Sequence, residues 1–362
     1  MPQNRNYSTK ASVINARIYL DHAATSPLRP QAQAAMEQGF ALWANPSSPH
    51  AEGRAARAAL EDARARVKAA LGWEGEVIFT SGASEALAIG LGRAKVERQI
   101  ISAVEHDAVF RAAPQAEVLA VKQATLDPTA LAIALAKPGK AVVALQSTNS
   151  ETGTVLIPHE GTPVQAQVHE AGGWLLADCS QSAGRVPLPK ADMVVVSGHK
   201  LGGPVGVGAL LVRDYAMLEP TGGHERGYRA GTENLPAVLG MAAALEAGGV
   251  ETWPTTFPDR YDLRDMIAHK GSVVKLGPQC SHILAATHRT MSAQALLIRL
   301  DAMGFAVSAG SACSSGSLKP SRVLKAFGLS DEVAARTIRV SLGWNTTPDD
   351  LAAFASAWAS LA

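Results

Sequence analysis

The sequence contains few cysteines, no strong charge imbalance and no long apolar run. Its 362 residues include three cysteines, with 33 basic and 32 acidic residues that give a formal net charge of +1. A small, odd number of cysteines in a long chain argues against a disulfide framework, so we expect a reducing, cytoplasmic location. The balanced charge argues against a nucleic-acid surface, and no apolar run is long enough to cross a membrane.

Several common catalytic and metal-binding motifs are also missing. The ten histidines show no HExxH spacing, the cysteines form no CxxC pair, and no GxSxG elbow occurs. A glycine-rich stretch at 203–208 precedes an apolar strand rather than a helix, so it does not match a dinucleotide-binding loop. The sequence therefore predicts no metal site.

Short apolar runs alternate with alanine-rich segments of helical period through most of the chain. The apolar runs predict buried strands at 77–79, 100–103, 141–145, 174–177, 193–196 and 207–212. The intervening segments predict helices at 84–93, 128–136, 164–170 and, with Ser47 or Ser48 as its cap, at 49–71. This alternation indicates βαβ units, hence an α/β fold with a mainly parallel sheet covered on both faces.

The character of the sequence changes near residue 250. Pro254 and Pro258 interrupt the pattern, a helix follows, and further strand and helix signals run to the end of the chain. These signals predict a second, smaller α+β domain, and leave open whether the first strand packs on it. The prediction has three parts: a lead-in at 1–17, a large domain at 18–250 and a small domain at 251–362.

Two charged residues directly follow buried strands. Lys200 comes after the strand at 193–196, and Asp178 ends the strand before it. In open α/β sheets this edge binds ligands, and a lysine there can lose solvent, lower its pKa and form a Schiff base. Singly, Lys200 is equally well explained as a solvated loop lysine, and Asp178 is better explained as a helix cap. Together they favour a pyridoxal phosphate (PLP) site in the large domain, where an aspartate keeps the ring nitrogen protonated.

Two further segments consist of small residues. The sequence TSGASE at 80–85 joins a strand to a helix whose first amides can hold a phosphate, although an ordinary turn with a capping serine is the alternative. Cys313 lies in SAGSACSSG at 308–316. Because free cysteines are usually buried, this setting suggests a thiol on an exposed, mobile loop, with a tolerated surface cysteine as the alternative. We expect Cys179 to be a packing residue, and Cys280 has no supporting context.

These segments, in this order, resemble the NifS/IscS type of cysteine desulfurase within the class V aminotransferase family. The resemblance covers nearly the whole chain, and the combination of three of its segments is highly specific: SGHK at 197–200, RAGTEN at 229–234 and SAGSAC at 308–313. Further matching segments are YLDHAAT at 19–25, NPSS at 45–48, VEH at 104–106, GGHERG at 222–227 and IRVSLG at 338–343.

The resemblance implies a PLP-dependent transferase of the aspartate aminotransferase-like fold, fold type I, that works as a homodimer. It implies conversion of L-cysteine to L-alanine, with transfer of the sulfur to Cys313 as a persulfide. A protein sulfur acceptor would then receive it, for iron–sulfur cluster assembly or other sulfur delivery. On the same scaffold, a class V aminotransferase, a selenocysteine lyase and a non-catalytic sulfur-carrier scaffold are the alternatives.

The resemblance also implies a role for individual residues. Lys200 would hold the cofactor and move protons, and His106 would stack on the ring and assist proton transfer. The polar contacts to the cofactor would come from Asp178 at the ring nitrogen, Gln181 at the phenolic oxygen, and Ala83, Ser84, Ser197, His199 and, from a second subunit, Thr232 at the phosphate. Arg339 would clamp the substrate carboxylate.

The chain departs from the family pattern at two positions near this site. Ser84 stands where the family more often has threonine, and it keeps the hydroxyl. Ser150 stands where the family commonly has a second asparagine, beside Asn149. We count Ser150 as a cofactor-binding candidate and Asn149 as a substrate-binding candidate. The chain also ends soon after the predicted helix near Pro348, so docking of an iron–sulfur scaffold stays open.

Overall fold

The structure is a computed structural model that describes residues 17–310 and 321–361. Cys313 and all but the last residue of the predicted lead-in at 1–17 lie outside the described residues. The strands are β1 (Ile18–Tyr19), β2 (Glu76–Thr80), β3 (Arg98–Ser102), β4 (Glu117–Leu119), β5 (Val121–Lys122), β6 (Thr125–Leu126), β7 (Ala141–Gln146), β8 (Trp174–Asp178), β9 (Met193–Ser197), β10 (Gly208–Val212), β11 (Gly271–Val273), β12 (Ile283–His288), β13 (Phe305–Ala306), β14 (Ser308–Ala309) and β15 (Thr337–Ser341).

The helices alternate with these strands. They are α1 (Pro30–Ala41), α2 (Ala51–Leu71), α3 (Ala83–Gly92), α4 (Asp107–Ala112), α5 (Pro128–Leu135), α6 (Pro163–Glu170), α7 (Leu235–Glu246), α8 (Phe257–Lys270), α9 (Ala293–Ala302), α10 (Arg322–Ala326), α11 (Asp331–Ala334) and α12 (Pro348–Leu361). Short 3₁₀ turns occur at Gly198–Lys200, Tyr215–Met217, Glu225–Gly227 and Val250–Thr252.

A seven-stranded sheet forms the centre of the larger part, in the order β2-β10-β9-β8-β7-β3-β4. Strands β9, β8, β7, β3 and β4 are parallel, whereas β10 is antiparallel to both β9 and β2. Val194 and Val196 join an apolar cluster with residues of α2 and α7, while Val195 joins one with residues of α3. Helices thus cover both faces, which explains the continuous apolar runs. The predicted mainly parallel α/β sheet is confirmed.

The long helix predicted at 49–71 starts two residues later and has a different cap. His50 is the N-cap of α2, and its Nδ1 accepts a backbone N–H of the first turn at 3.2 Å. The expectation that Ser47 or Ser48 caps this helix was wrong, because both serines lie in the turn before His50. An imidazole nitrogen here replaces the serine oxygen that usually satisfies these amides.

The helix predicted to follow Pro254 and Pro258 is present as α8, and Pro258 lies inside its first turn rather than before it. It is the second residue of α8, where a proline costs no hydrogen bond because first-turn amides have no partner inside the helix. Thr256 and Asp259 form a reciprocal capping box at the same end.

A second, antiparallel sheet lies in the C-terminal part, in the order β11-β12-β15-β14. Its apolar cluster includes residues of α8, α9 and α12, with Phe354 and Trp358 fully buried. β1 pairs in parallel with β13, and Leu20 joins the same cluster, so the first strand packs with the C-terminal elements. The division into domains near residue 250 stays a prediction.

Residues of both sheets line one cavity. The carboxyl ends of β3, β7, β8 and β9 point to this cavity, and residues of β14 and β15 line it as well. The candidate site lies in this cavity. Among the helices that the structure describes, none has the length and apolar character needed to cross a membrane.

Candidate active site

A cavity of about 950 Å³ is lined by residues of both sheets. It brings together residues that are far apart in the sequence. The predicted site residues that line it are Ala83, Ser84, His106, Ser150, Asp178, Gln181, Ser197, His199, Lys200 and Arg339.

Lys200 is delivered to the cavity by β9 and the short 3₁₀ turn that follows it. The pKa of its amine is lowered to about 8, mainly by burial and also by the positive charges of Arg339 and Arg185, while the negative charges of Asp178 and Asp21 act in the opposite sense. A lysine with such a pKa carries a substantial neutral fraction at neutral pH, and the neutral amine is the nucleophilic form.

Asp178 ends β8, the parallel neighbour of β9, and is 7% exposed. One carboxylate oxygen, Oδ1, accepts the Ser180 N–H at 3.0 Å and the Ser180 hydroxyl at 2.6 Å. Gln181 follows in the next turn, and its amide donates to the carbonyl of Ala23 at 2.9 Å. The two bonds from Ser180 hold the Asp178 carboxylate in the cavity wall, one strand away from Lys200.

His106 caps α4 and faces the cavity. Its Nδ1 accepts the Ala108 N–H at 3.1 Å, so this nitrogen carries no proton and the neutral ring is protonated at Nε2. Burial, and then the positive charge of Lys200, lower the pKa of this imidazole. The ring is therefore neutral at physiological pH and presents Nε2 as its exchangeable site.

The turn from β2 into α3 forms one end of the cavity. Among the described residues no side chain caps α3, whose N-cap Gly82 has φ 151°, a conformation that favours glycine. Gly208 lets this turn approach β10 closely, because a Cβ there would lie 2.8 Å from Gly82 Cα. Ser84 and Ser197 line the same end, so helix amides and hydroxyls face a common space. Such an arrangement suits an anion.

His199 lies at the edge of the same cavity. Its Nδ1 is 3.1 Å from the hydroxyl of Thr25, a residue of the N-terminal segment. Burial, with the charge of Lys200, lowers the pKa of its ring.

Arg339 comes from β15 and enters the cavity from the side of the second sheet. Its Nη2 donates to Asp21 at 2.7 Å and its Nη1 to the carbonyl of Ser150 at 3.1 Å. Its Nε is buried and has no hydrogen-bond partner among the described residues. The guanidinium therefore keeps unused donor capacity next to the cavity, which suits recognition of a carboxylate.

Three predicted site residues do not line the described cavity. Asn149 is 1% exposed, its Oδ1 accepts the Glu151 and Thr152 N–H groups, and its amide donates to the Val104 carbonyl at 3.3 Å. Thr232 is exposed on the surface. Cys313 lies outside the described residues. The substrate contact of Asn149 and the phosphate contact of Thr232 stay predictions.

Several charged residues that line or adjoin the cavity had no role predicted from the sequence. Asp21 pairs with Arg339, and Glu105 is a fully buried carboxyl in the cavity wall. Glu151 accepts the Ser321 hydroxyl, and Arg322 donates to the carbonyls of Ala103 and Glu105. Asp21 precedes His22 in the YLDHAAT segment, and Glu105 precedes His106 in the VEH segment. Their position beside these histidines was the only sequence feature that pointed to them.

The donor set of the cavity fits PLP. The uncapped amides of α3, with the hydroxyls of Ser84 and Ser197, suit a phosphate. Asp178 suits a protonated pyridine nitrogen, and the partly neutral amine of Lys200 suits an aldehyde. The fold and the cavity together define a PLP-dependent enzyme of fold type I.

Comparison with known proteins leads to the same class. The profile of the class-V aminotransferase family matches residues 18–354. A cysteine desulfurase IscS of Dictyoglomus turgidum is 34% identical over 92% of this chain and 91% of its own, and a cysteine desulfurase of Cereibacter sphaeroides is 35% identical over 92% of each. The crystal structure of a NifS-like protein from Rickettsia africae superposes with a TM-score of 0.83 and 27% identity, over 95% of this chain and 99% of that one.

The chain belongs to the class-V aminotransferase family.

Proposed function

We propose that this protein is a PLP-dependent cysteine desulfurase, which converts L-cysteine to L-alanine and transfers the sulfur to Cys313 as a persulfide. One observation carries the proposal. Lys200, Asp178, His106 and Arg339 line a single cavity, and its wall includes Gly310, three residues before Cys313 in the sequence. The relatives named as cysteine desulfurases support the same reaction.

Bound PLP supplies an electron sink for the pair released at the substrate Cα. The protein holds the cofactor in place: Lys200 through its amine, Asp178 at the ring nitrogen and the α3 turn at the phosphate. Gln181, Ser150 and His199 would complete these contacts. Asp178 also makes the sink effective, because its negative charge favours the protonated ring nitrogen.

Proton movement in the cavity falls to Lys200 and His106. The Lys200 amine has a pKa of about 8, so it can take a proton and return it near neutral pH. His106 presents a neutral Nε2–H, because its Nδ1 is engaged by the Ala108 N–H. Lys200 would carry the proton from Cα, and His106 would assist from its place in the cavity wall.

Arg339 would bind the substrate carboxylate. Its guanidinium already has a fixed direction, because Asp21 and the Ser150 carbonyl hold Nη2 and Nη1. The buried Nε offers a further donor. A carboxylate that binds here would place the amino-acid Cα in the cavity that Lys200 and His106 also line.

The sulfur step is balanced without any added oxidant. The Cys313 thiolate attacks the sulfur of the substrate, an S–S bond forms, and the C–S bond breaks with its electron pair going to the substrate carbon. L-cysteine and the Cys313 thiol thus become L-alanine and the Cys313 persulfide. Three residues span at most about 10 Å, which limits the distance between the Cα atoms of Cys313 and Gly310.

The other two cysteines are poorly suited to this step. Burial raises the pKa of the Cys179 thiol to about 12, and it also raises the pKa of Cys280. A raised pKa leaves little thiolate, and thiolate is the nucleophile. Neither residue lines the cavity. This leaves Cys313 as the sulfur acceptor of the chain.

The proposal includes partners beyond L-cysteine. A homodimer would allow Thr232, exposed on this chain, to reach the phosphate in a second copy. The persulfide would pass to a protein acceptor in the cytoplasm, for iron–sulfur cluster assembly or another sulfur delivery route. The IscS names of several relatives support the first of these.

A steady-state assay of purified protein with L-cysteine tests the function. We expect alanine and, with a thiol reductant, sulfide in equal amounts. Cys313→Ala should keep the absorbance of bound cofactor and lose at least about 100-fold in alanine formation, because no thiolate receives the sulfur. Cys280→Ala is the matched control and should keep its activity. Full turnover by Cys313→Ala, or amino transfer to an oxo acid without sulfide, would refute the proposal.

A further inference from the structure

Glu105 is a buried carboxyl that the proposed mechanism does not use. Its side chain is 0% exposed and forms part of the cavity wall. Oε1 accepts hydrogen bonds from the Ser102 hydroxyl and from the Gln146 N–H, the latter at 3.0 Å. Oε2 is also buried, and it has no hydrogen-bond partner among the described residues.

The bonds of Oε1 fasten the segment that carries His106. Ser102 ends β3 and Gln146 ends β7, so the carboxyl joins two parallel strands at the cavity edge. The Gln146 side chain donates in turn to the carbonyl of Val104. The backbone that leads into Glu105 is therefore fixed, and His106 follows directly.

A charged carboxylate is unfavourable at this position. Gln146 pairs with Asp178 across β7 and β8, so Glu105 lies beside a second acidic group. The cation on this side, Arg322, uses its guanidinium on backbone carbonyls and on Asp107. Burial, with Asp178 adding to it and Arg322 opposing it, raises the pKa of Glu105 to about 8.

We infer that Glu105 is a positioning residue of this site that works as a neutral carboxylic acid: Oε1 fixes the His106 segment, and Oε2 carries the proton. The neutral form explains both oxygens. Oε1 acts as the carbonyl oxygen with two donors, whereas Oε2 is buried with no donor among the described residues that would stabilise a negative charge on it. Asp178 then keeps the single negative charge that the cofactor nitrogen needs. The positioning role of Glu105 rests on the proposed function, whereas its protonation state does not.

Two substitutions separate a neutral acid from a carboxylate. Glu105→Gln keeps an acceptor at Oε1 and replaces the acid proton with an amide donor. Glu105→Ala removes both and leaves the Ser102 hydroxyl and the Gln146 N–H unpaired. Glu170→Gln makes the same change of charge on an exposed face of α6 and serves as the matched control.

Thermal unfolding of the cofactor-loaded proteins between pH 5.5 and 8 is the first readout. In the wild type a group with a raised pKa stabilises fully at low pH, and its contribution is lost as pH rises toward 8. Glu105→Gln cannot ionise, so it should not lose this stability. The Tm of the variant minus the Tm of the wild type should therefore increase by about 4 °C or more from pH 5.5 to pH 8. The Tm of Glu170→Gln should stay parallel to the wild type. Parallel curves for Glu105→Gln would overturn the inference, whatever the enzyme's activity.

Steady-state kinetics with L-cysteine at pH 7 is the second readout. Glu105→Gln should keep kcat within about threefold, whereas Glu105→Ala should lower kcat by about tenfold or more with little change in KM, because His106 is misplaced while Arg339 is not. Equal loss in both variants would show that the charge matters, and would overturn the inference. If the wild type itself releases no alanine, the proposed function fails while the Tm result stands.

Discussion

Lys200 lies near two anions and two cations, and these charges together with burial decide the state of its amine. Burial is the largest effect, Arg339 and Arg185 also lower the pKa, and Asp178 and Asp21 raise it; the resulting pKa is about 8. At pH 7 roughly one-tenth of such amines are neutral, against roughly one in three thousand for a lysine with the ordinary pKa. The site therefore prepares a nucleophile without a dedicated base.

This state predicts how the cofactor is incorporated. The rate at which PLP links to the apoprotein should increase as pH rises and level off above about 8, because only the neutral amine attacks an aldehyde. Asp178→Asn should move the midpoint to lower pH, since it removes a charge that raises the pKa. Absorbance of the lysine-bound cofactor after mixing measures both. A midpoint near the ordinary lysine value, with no shift in the variant, would contradict this account.

The sequence made some residues of the site visible and hid others. Lys200 and Asp178 could be predicted, because an apolar run before each one places it at the sheet edge. The state of Glu105 could not, because it depends on Gln146, 41 residues away, and on an oxygen that has no partner in the part of the chain that the structure describes. Asn149 shows the reverse case: its motif suggests substrate contact, but its Oδ1 accepts N–H groups of its own turn and its NH2 donates to the distant Val104 carbonyl.

At the scale of elements, Glu225 connects a glycine-rich loop to α2 and β2. Its carboxylate accepts hydrogen bonds from Nη1 and Nη2 of Arg64, at 2.7 and 3.1 Å, and from the Phe79 N–H at 2.8 Å. Its φ is 48° and that of Arg226 is 56°, so two consecutive non-glycine residues adopt the left-handed region. Such strain persists only where surrounding contacts enforce it. The loop that precedes Thr232 is thus held against β2, the strand that leads into the turn before α3.

Removal of this carboxylate should be costly. Glu225→Ala leaves the Arg64 guanidinium buried without its partner, and we expect a loss of about 3–5 kcal/mol in the free energy of unfolding. Glu246→Ala is the control, because its pair with Arg66 is partly exposed and should contribute about 1 kcal/mol or less. Denaturant unfolding of both variants gives the comparison, and similar losses in the two would be inconsistent with a buried anchor.

The order of the elements followed from local pattern, whereas their direction and short connections did not. Each predicted strand of the central sheet is present within two residues of its predicted ends, because its apolar run is bounded by polar or glycine residues. The antiparallel direction of β10 could not be predicted from the sequence, because a fully buried strand has the same apolar composition whether it is parallel or antiparallel to its neighbours. The cap of α2 was missed because His50 is an unusual capping residue.

At the scale of the whole molecule, the cavity depends on contacts between distant parts of the chain. Arg339 from β15 reaches Asp21, which follows β1, and Ser321 at the start of α10 donates to Glu151 near the end of β7. Gly310 packs against Ser321 as well: a Cβ on this glycine would lie 2.8 Å from the Cβ of Ser321. The two described residues that flank 311–320 therefore meet beside the cavity that contains Lys200.

A single turnover with isotopically labelled sulfur tests the central claim, that the Lys200 amine and the Cys313 thiol serve one cavity. Holoenzyme is mixed with less than one equivalent of labelled L-cysteine, alanine is counted, and the cysteine peptides are weighed by mass spectrometry. We predict one labelled persulfide on Cys313 for each alanine, and neither product with Lys200→Ala. Alanine formed while the label stays off Cys313, or appears on Cys179 or Cys280 instead, would contradict the account.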